Sequence, residues 1–218
     1  MLSLAEENYL KTIYHLSESG RHAVSTNAIS EMQKTKPASV SDMIKKLSDK
    51  GVVSYQKYKG VNLSHKGKKA ALQIIRKHRL WEVFLVDKLN FNWDEVHEIA
   101  EQLEHIKSPL LVKRLDEFLG YPKIDPHGDP IPDENGEITL GIKAPLTEVS
   151  QGKEMILTGV ENSESNFLAH LDKLGIALGS KITIIDINEF DGSMQVKIKE
   201  GKPIFISQQV AVNLLVTE

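Results

Sequence analysis

STNAISEMQKTKPASVSDMIKKLSDKGVVSYQKYKGVNLS, residues 25–64, decides how the rest of the chain is read. Ser25 or Thr26 supplies a helix N-cap ahead of a short apolar set, Ala28, Ile29 and Met32. Lys34-Thr35-Lys36-Pro37 predicts a turn, since proline suits a first helical position. The next helix carries Val40, Ile44 and Leu47 on one stripe and stops at Gly51. β-Branched and aromatic residues interrupted by Lys59-Gly60 then predict a hairpin. Upstream, Leu4, Tyr9, Leu10, Ile13, Tyr14 and Leu16 have the spacing of a first helix that ends before Gly20. Helix, short helix, turn, helix and hairpin together are the plan of a winged helix-turn-helix.

Charge distribution points the same way. Residues 1–80 hold 15 Lys+Arg and 6 Asp+Glu, a net of +9, whereas residues 81–218 hold 12 and 24, a net of −12. A basic first third on an acidic remainder suits a polyanion-binding module attached to something else. Ser39, Ser41, Asp42, Lys45 and Lys46 lie off the apolar stripe of the third helix, with Lys34, Lys36 and Pro37 at its entry. That face is predicted to enter a DNA major groove, while Tyr55, Lys57, Tyr58 and Lys59 of the wing reach the backbone. The alternative is an ordinary solvated helix face.

Beyond the hairpin, a helical pattern runs from His65 to Leu89, and Trp93-Asp94 opens another through about Lys107. A third continues from Ser108-Pro109 to Gly120. His78 and Glu82 stand one helical turn apart, and His97, Glu101, Glu104 and His105 fall on a second stripe. Imidazoles and carboxylates gathered in this way are best held by a divalent cation. The surplus apolar surface of these helices suits a dimer interface, and two-fold symmetry suits paired DNA half-sites. Residues 121–146 contain five of the eight prolines and predict a linker or ordered loop rather than a packed element. From Thr147 onward, short apolar strands and glycine turns predict a small β-barrel with one helical insert, SNFLAHLDKLGI.

The absence of cysteine excludes disulfides, thiolate zinc sites and cysteine nucleophiles. No membrane span or signal peptide is apparent, so no membrane partner is expected and the cytoplasm is the expected location. No enzymatic activity or small organic substrate is expected either. His97-Glu98 begins like the H-E-x-x-H of metallo-hydrolases, but Glu101 stands where the second histidine belongs. A rival closer to the main reading is a winged-helix regulator that senses another ligand and whose His/Glu cluster is structural.

Along its whole length the sequence resembles the diphtheria toxin repressor family of metal-dependent transcriptional regulators. The resemblance rests on N-Y-L-K-T-I-Y, K-P-A-S-V-S-D-M-I-K-K-L, Y-Q-K-Y-K-G-V-N-L-S-H-K-G, R-K-H-R-L-W-E, V-H-E-I-A-E-Q-L-E-H-I and P-H-G-D-P-I-P, in family order. It implies a DNA-binding domain at 1–64, a helical dimerisation and metal-binding domain at 65–120, a Pro-rich linker at 121–146 and an SH3-like, FeoA-like barrel at 147–218. It also implies a homodimeric repressor that takes Mn2+ or Fe2+ as corepressor, binds a double-stranded operator and controls metal-uptake genes.

Two metal sites per chain are implied. The activating one maps onto Asn8, Glu101, Glu104 and His105. The ancillary one maps onto His78, Glu82 and His97, with Glu164 and Asn166 from the barrel. In the manganese branch the counterparts of His78, Glu101 and Glu104 share a two-metal cluster instead. Two positions depart from the family. Asn8 replaces the methionine or aspartate of the iron and manganese branches, and Lys11 stands where the manganese branch has a glutamate ligand.

Overall fold

In this computed structural model, residues 2–56, 59–138, 143–199 and 201–217 are described. The wing residues Lys57 and Tyr58 lie outside them. The chain divides into two compact units. One comprises Met1–His78, Glu101–Val112 and Pro132–Ile138, the other Arg79–Ala100, Lys113–Ile131 and Thr139–Glu218.

In the first unit, α1 (Leu4–Leu16) opens with a reciprocal capping box between Ser3 and Glu6. Glu6 also accepts from Lys50 Nζ at 2.7 Å, fixing the start of α1 to the end of α3 (Pro37–Asp49). Hydrogen bonding to Lys50 and to the Ser3 backbone holds the Glu6 carboxyl below its ordinary range. Helix α2 (Thr26–Met32) is capped by Ser25, whose Oγ accepts from Ala28 N. Leu10, Ile13, Ile29, Val40, Ile44 and Leu47 are fully or almost fully buried between these three helices. Burying each such side chain contributes about 1.5–3 kcal/mol.

The wing is an antiparallel pair, β1 (Val53–Gln56) and β2 (Gly60–Leu63). Val61 also exchanges both backbone hydrogen bonds with Val24, at 2.8 Å each. Gly60 has φ +94°, and a Cβ there would lie 2.6 Å from the Val24 carbonyl oxygen. Both facts require glycine at the wing. Ser64 then begins α4 (His65–Leu89), its Oγ accepting from Gly67 N at 3.0 Å. The unit boundary falls inside α4, between His78 and Arg79.

In the second unit, a six-stranded antiparallel sheet has the order β3 (Ala144–Pro145), β8 (Leu214–Thr217), β4 (Glu154–Val160), β5 (Lys181–Ile187), β6 (Met194–Ile198), β7 (Ile204–Ile206). Register shifts at Leu157/Gly159 and Ile184/Asp186 mark bulges, which bend the strands of a small SH3-like barrel. Helix α7 (Ser165–Lys173) is the predicted insert, and its Leu168 and Leu171 are fully buried with Leu157, Ile182, Ile184 and Leu214.

Three expectations are corrected. Helix α5 runs only from His97 to Leu103, not from Trp93 to Lys107. Its start is delayed by a turn in which Asn92 N donates to Glu95 Oε2, and the Trp93 carbonyl accepts from His127. The barrel carries a further helix besides the expected single insert: α8 (Gln208–Val212), capped by Ser207, precedes β8.

The third correction concerns residues 121–146, whose described part is packed rather than a bare linker. Asp125, His127 and Ile131 are buried after α6 (Pro109–Phe118). Arg76 Nη1 donates to Pro132 O at 2.6 Å in the first unit. In the second, Arg79 donates to Pro130 O and Asp129, and pairs with Asp125 at 3.3 Å.

Gly67 gives a stability test, since a Cβ there would lie 1.9 Å from the Val52 carbonyl oxygen. We expect Gly67→Ala to cost about 1–3 kcal/mol through overpacking, read as a lower urea midpoint with little change in slope.

Candidate metal centre and nucleic-acid interface

Glu104 is the centre of the first unit's polar cluster. Its carboxylate is fully buried. His78 Nδ1 donates to Oε2 at 2.7 Å, and Lys11 Nζ donates to Oε1 and Oε2 at 2.7 and 2.8 Å. His105 Nε2 lies 3.5 Å from Oε1. Lys11 also donates to Glu101 Oε1. Burial alone would push the Glu104 carboxyl up, but bonding to His78 and the charge of Lys11 outweigh it, and the carboxyl titrates below its ordinary range.

Helix α1 supplies the facing side. Glu7, Asn8 and Lys11 fall on one of its stripes by three- and four-residue spacing. Glu7 Oε2 accepts from His105 Nδ1 at 2.7 Å, which leaves Nε2 of His105 as the acceptor nitrogen beside Glu104. That tautomer is the one a cation-binding histidine adopts when a carboxylate orients it. The Asn8 amide oxygen is buried with no hydrogen-bond partner. An orphaned buried acceptor costs about 1–3 kcal/mol. A neutral amide oxygen one helical turn before Lys11, which holds Glu101 and Glu104, fits a hard or borderline divalent cation.

Of the predicted ligands, Glu101, Glu104 and His105 meet α1 here, and His78 joins them through its bond to Glu104. Glu104 and His105 are not on the helical stripe that their spacing predicts. They lie in a turn past the end of α5, where Ile106 N bonds back to Leu103 O.

Glu82 and His97 belong to the second unit, where His97 Nδ1 stands 3.4 Å from Glu82 Oε1. Glu82 is also 3.6 Å from Nδ1 of His127, and the two are joined by Asp125 in a buried carboxylate–imidazole group. His127 Nε2 donates to Trp93 O at 2.8 Å. Asp125 Oδ1 accepts from the backbone N–H of His127 and Asp129, and Oδ2 faces Arg79. Burial, Asp129 and Glu82 push the Asp125 carboxyl up, against Arg79 and His127. For His127, burial disfavours the charge, but hydrogen bonding to Glu82 and the charges of Glu82 and Asp125 outweigh it. Its pKa rises to about 9. Asp125 and His127 were missed as partners of Glu82 because about 45 residues separate them, although P-H-G-D-P was visible. Glu164 and Asn166 are exposed at the start of α7, and Ser165 between them donates to Asp94 O.

Elsewhere in the first unit, Lys34, Lys36, Pro37, Ser39, Ser41, Asp42, Lys45 and Lys46 are all exposed, as are Tyr55 and Lys59 of the wing. Ser41 Oγ donates back to Pro37 O at 3.1 Å. Lys34 takes φ +47° in the turn before α3. The face is polar, basic and uncovered within its unit.

The comparisons with known proteins agree along the chain. Residues 1–61 match the family model "Iron dependent repressor, N-terminal DNA binding domain", and residues 64–133 match "Iron dependent repressor, metal binding and dimerisation domain". Residues 144–218 match the FeoA domain. A solved manganese-dependent transcriptional repressor in complex with manganese is 33% identical, with 97% of this chain and 98% of that one covered, at a TM-score of 0.86.

The chain belongs to the diphtheria toxin repressor family.

It is accordingly a metal-dependent transcriptional repressor with a C-terminal SH3-like domain, and not an enzyme. Repressors of this family bind DNA operators and are dimeric, and they bind divalent metals. Among relatives, the iron-dependent repressor IdeR of Mycobacterium tuberculosis is 28% identical over 193 residues, 82% of each chain. The Zn2+-bound structure of ScaR is 33% identical, covers 98% of this chain and 99% of that one, and has a TM-score of 0.78. Among the described residues of this repressor, no helix is long and apolar enough to cross a membrane.

Two measurements test the local electrostatics. Glu104→Ala leaves Lys11 and His78 without their shared buried acceptor, and we expect metal-free stability to fall by about 3–5 kcal/mol, measured by urea denaturation. His127 has a folded pKa near 9 against an ordinary 6.5. Its contribution is therefore complete below about pH 6.5 and lost as pH rises through 9. Wild type is expected to lose stability between pH 7 and 9.5, and His127→Gln to show a flatter profile over that window.

Proposed function

We propose that this repressor binds Mn2+ or Fe2+ through Asn8, Glu101, Glu104 and His105, with His78 in support, and on doing so binds its operator as a homodimer. The observation that carries the reading is the partnerless buried oxygen of Asn8, one turn of α1 before the Lys11 that bonds to the buried Glu104. Oxygen and imidazole donors without sulfur favour these ions over soft ones by ligand type, although zinc binds such sites more tightly in raw affinity. A cation held there supplies the positive charge that joins α1 to the turn after α5. The chain's own residues do the rest. Glu7 fixes the tautomer of His105, and α1 carries the winged module whose orientation is selected. The ion shifts that equilibrium only by its differential affinity for the two orientations.

A second ion at Glu82 and His97, completed by Glu164 and Asn166 of the barrel, is the ancillary part of the proposal. We assign it the weaker affinity, because His127 already holds Glu82. On DNA, Ser39, Ser41 and Asp42 face base edges while Lys34, Lys36, Lys45 and Lys46 contact phosphates. Pro37 sets the helix start between them, and Tyr55, Lys57, Tyr58 and Lys59 place the wing on the backbone. The expected targets are promoters of metal-uptake genes, and the expected compartment is the cytoplasm.

A mobility-shift titration of such promoter fragments with Mn2+, Fe2+, Zn2+ and chelator tests the reading. Binding should need the ion and be lost with chelator; affinity indifferent to chelator would sink it. Lys46→Ala should weaken binding alike on all sequences and reduce the salt slope by about 1.

A further inference from the structure

The cation-binding side chains of the first unit already share a cation, and it is covalently part of the protein. Lys11 Nζ donates to Glu101 Oε1 and to both oxygens of Glu104, at 2.7 and 2.8 Å for the latter. Its side chain is only 13% exposed and that of Glu104 is fully buried, so solvent screens the pair weakly. Helix α1 is thus tied to the α5 end through Lys11 and through the Glu7–His105 bond. The ammonium does not donate to the Asn8 oxygen, which has no partner.

We propose that Lys11 is an internal competitor of the metal ion. Its ammonium neutralises Glu101 and Glu104 in the ion-free protein and must leave Glu104 before a divalent cation can use that carboxylate. Lys11 thereby raises the ion concentration at which the repressor responds. This inference rests on the proposed metal centre at Asn8, Glu101, Glu104 and His105.

The chemistry of the position follows from the geometry. A carboxylate oxygen that accepts from an ammonium can in principle also ligate an ion, but two positive charges would then share one buried group. An opposite charge within about 4–6 Å stabilises an ionised carboxylate by roughly ten- to a thousandfold, and an incoming ion competes with that stabilisation. Lysine suits a displaceable role, since its flexible four-carbon stem lets the ammonium swing away without moving α1. Asn8 contributes the complementary part, a neutral oxygen that Lys11 leaves unpaired. Ion binding thus gains a ligand for Asn8 while it costs the Lys11–Glu104 bonds.

The test is equilibrium binding of Mn2+ to the full-length protein, read from the electron paramagnetic resonance signal of free Mn2+. Wild type, Lys11→Met and Lys11→Arg are compared. Lys11→Met should bind Mn2+ at least about tenfold more tightly, and Lys11→Arg, which keeps the charge, should stay within about threefold of wild type. Thermal unfolding gives a second readout that covers poor folding of Lys11→Met. Without Mn2+ that variant should melt below wild type, and saturating Mn2+ should raise its Tm by more than it raises that of wild type. Equal Mn2+ affinity in wild type and Lys11→Met would overturn the role of Lys11 while leaving the metal centre intact. No Mn2+ binding by any of the three proteins would overturn the centre and the inference together.

Discussion

The buried carboxylate of Glu104 is the constraint on which the first unit depends. An ionised carboxylate removed from water costs several kcal/mol unless its oxygens are fully bonded. Glu104 meets that demand with two bonds from Lys11 and one from His78. These partners come from α1 and α4, and Glu104 itself from the turn after α5, so satisfying one side chain fixes three segments in space. In the proposed metal centre an ion would take over that role, and replacing the ammonium by the ion would exchange Lys11 for Asn8 as the contact that α1 makes.

The second unit solves a similar problem in a different way. Glu82 and Asp125 are buried, and their charges are met by His127 and Arg79. Backbone amides bond to Asp125, and a backbone carbonyl accepts from His127. Asp125 caps its own turn, and His127 spans from Glu82 to the Trp93 carbonyl. The loop carrying P-H-G-D-P is thereby packed, although its proline content alone suggests a linker. Proline restricts the chain and removes donors, but neither property prevents burial when Arg76 and Arg79 provide donors for the loop carbonyls.

Comparison of expectation with structure is most instructive at particular elements. The winged module was legible because its signals are local: the Ser25 cap, Pro37 at a helix start, the Val40–Ile44–Leu47 stripe and Gly60 in the hairpin. The helical stripe His97–Glu101–Glu104–His105 was legible only in part. Periodicity extends it to His105, but Glu104 and His105 lie in the turn past the helix end, where they meet Lys11 and Glu7 of α1. Lys11 was visible as a departure from the family, yet its position between two carboxylates was not. Glu7 gave no signal at all, since a first-turn glutamate is ordinary helix chemistry.

The sequence by itself determined the local elements, the basic reading face, the barrel and the residue types able to hold an ion, because caps, periods and charge sums act within a few residues of one another. Tertiary structure alone decided which of those residues meet. It placed His78 with Glu104, gave Glu82 to His97 and His127, put Lys11 on the predicted ligands, and left the Asn8 oxygen without a partner. The physical reason is that burial removes water as the default partner. Each buried charge must then find its counter-charge wherever the packed chain provides one, often about ninety residues away.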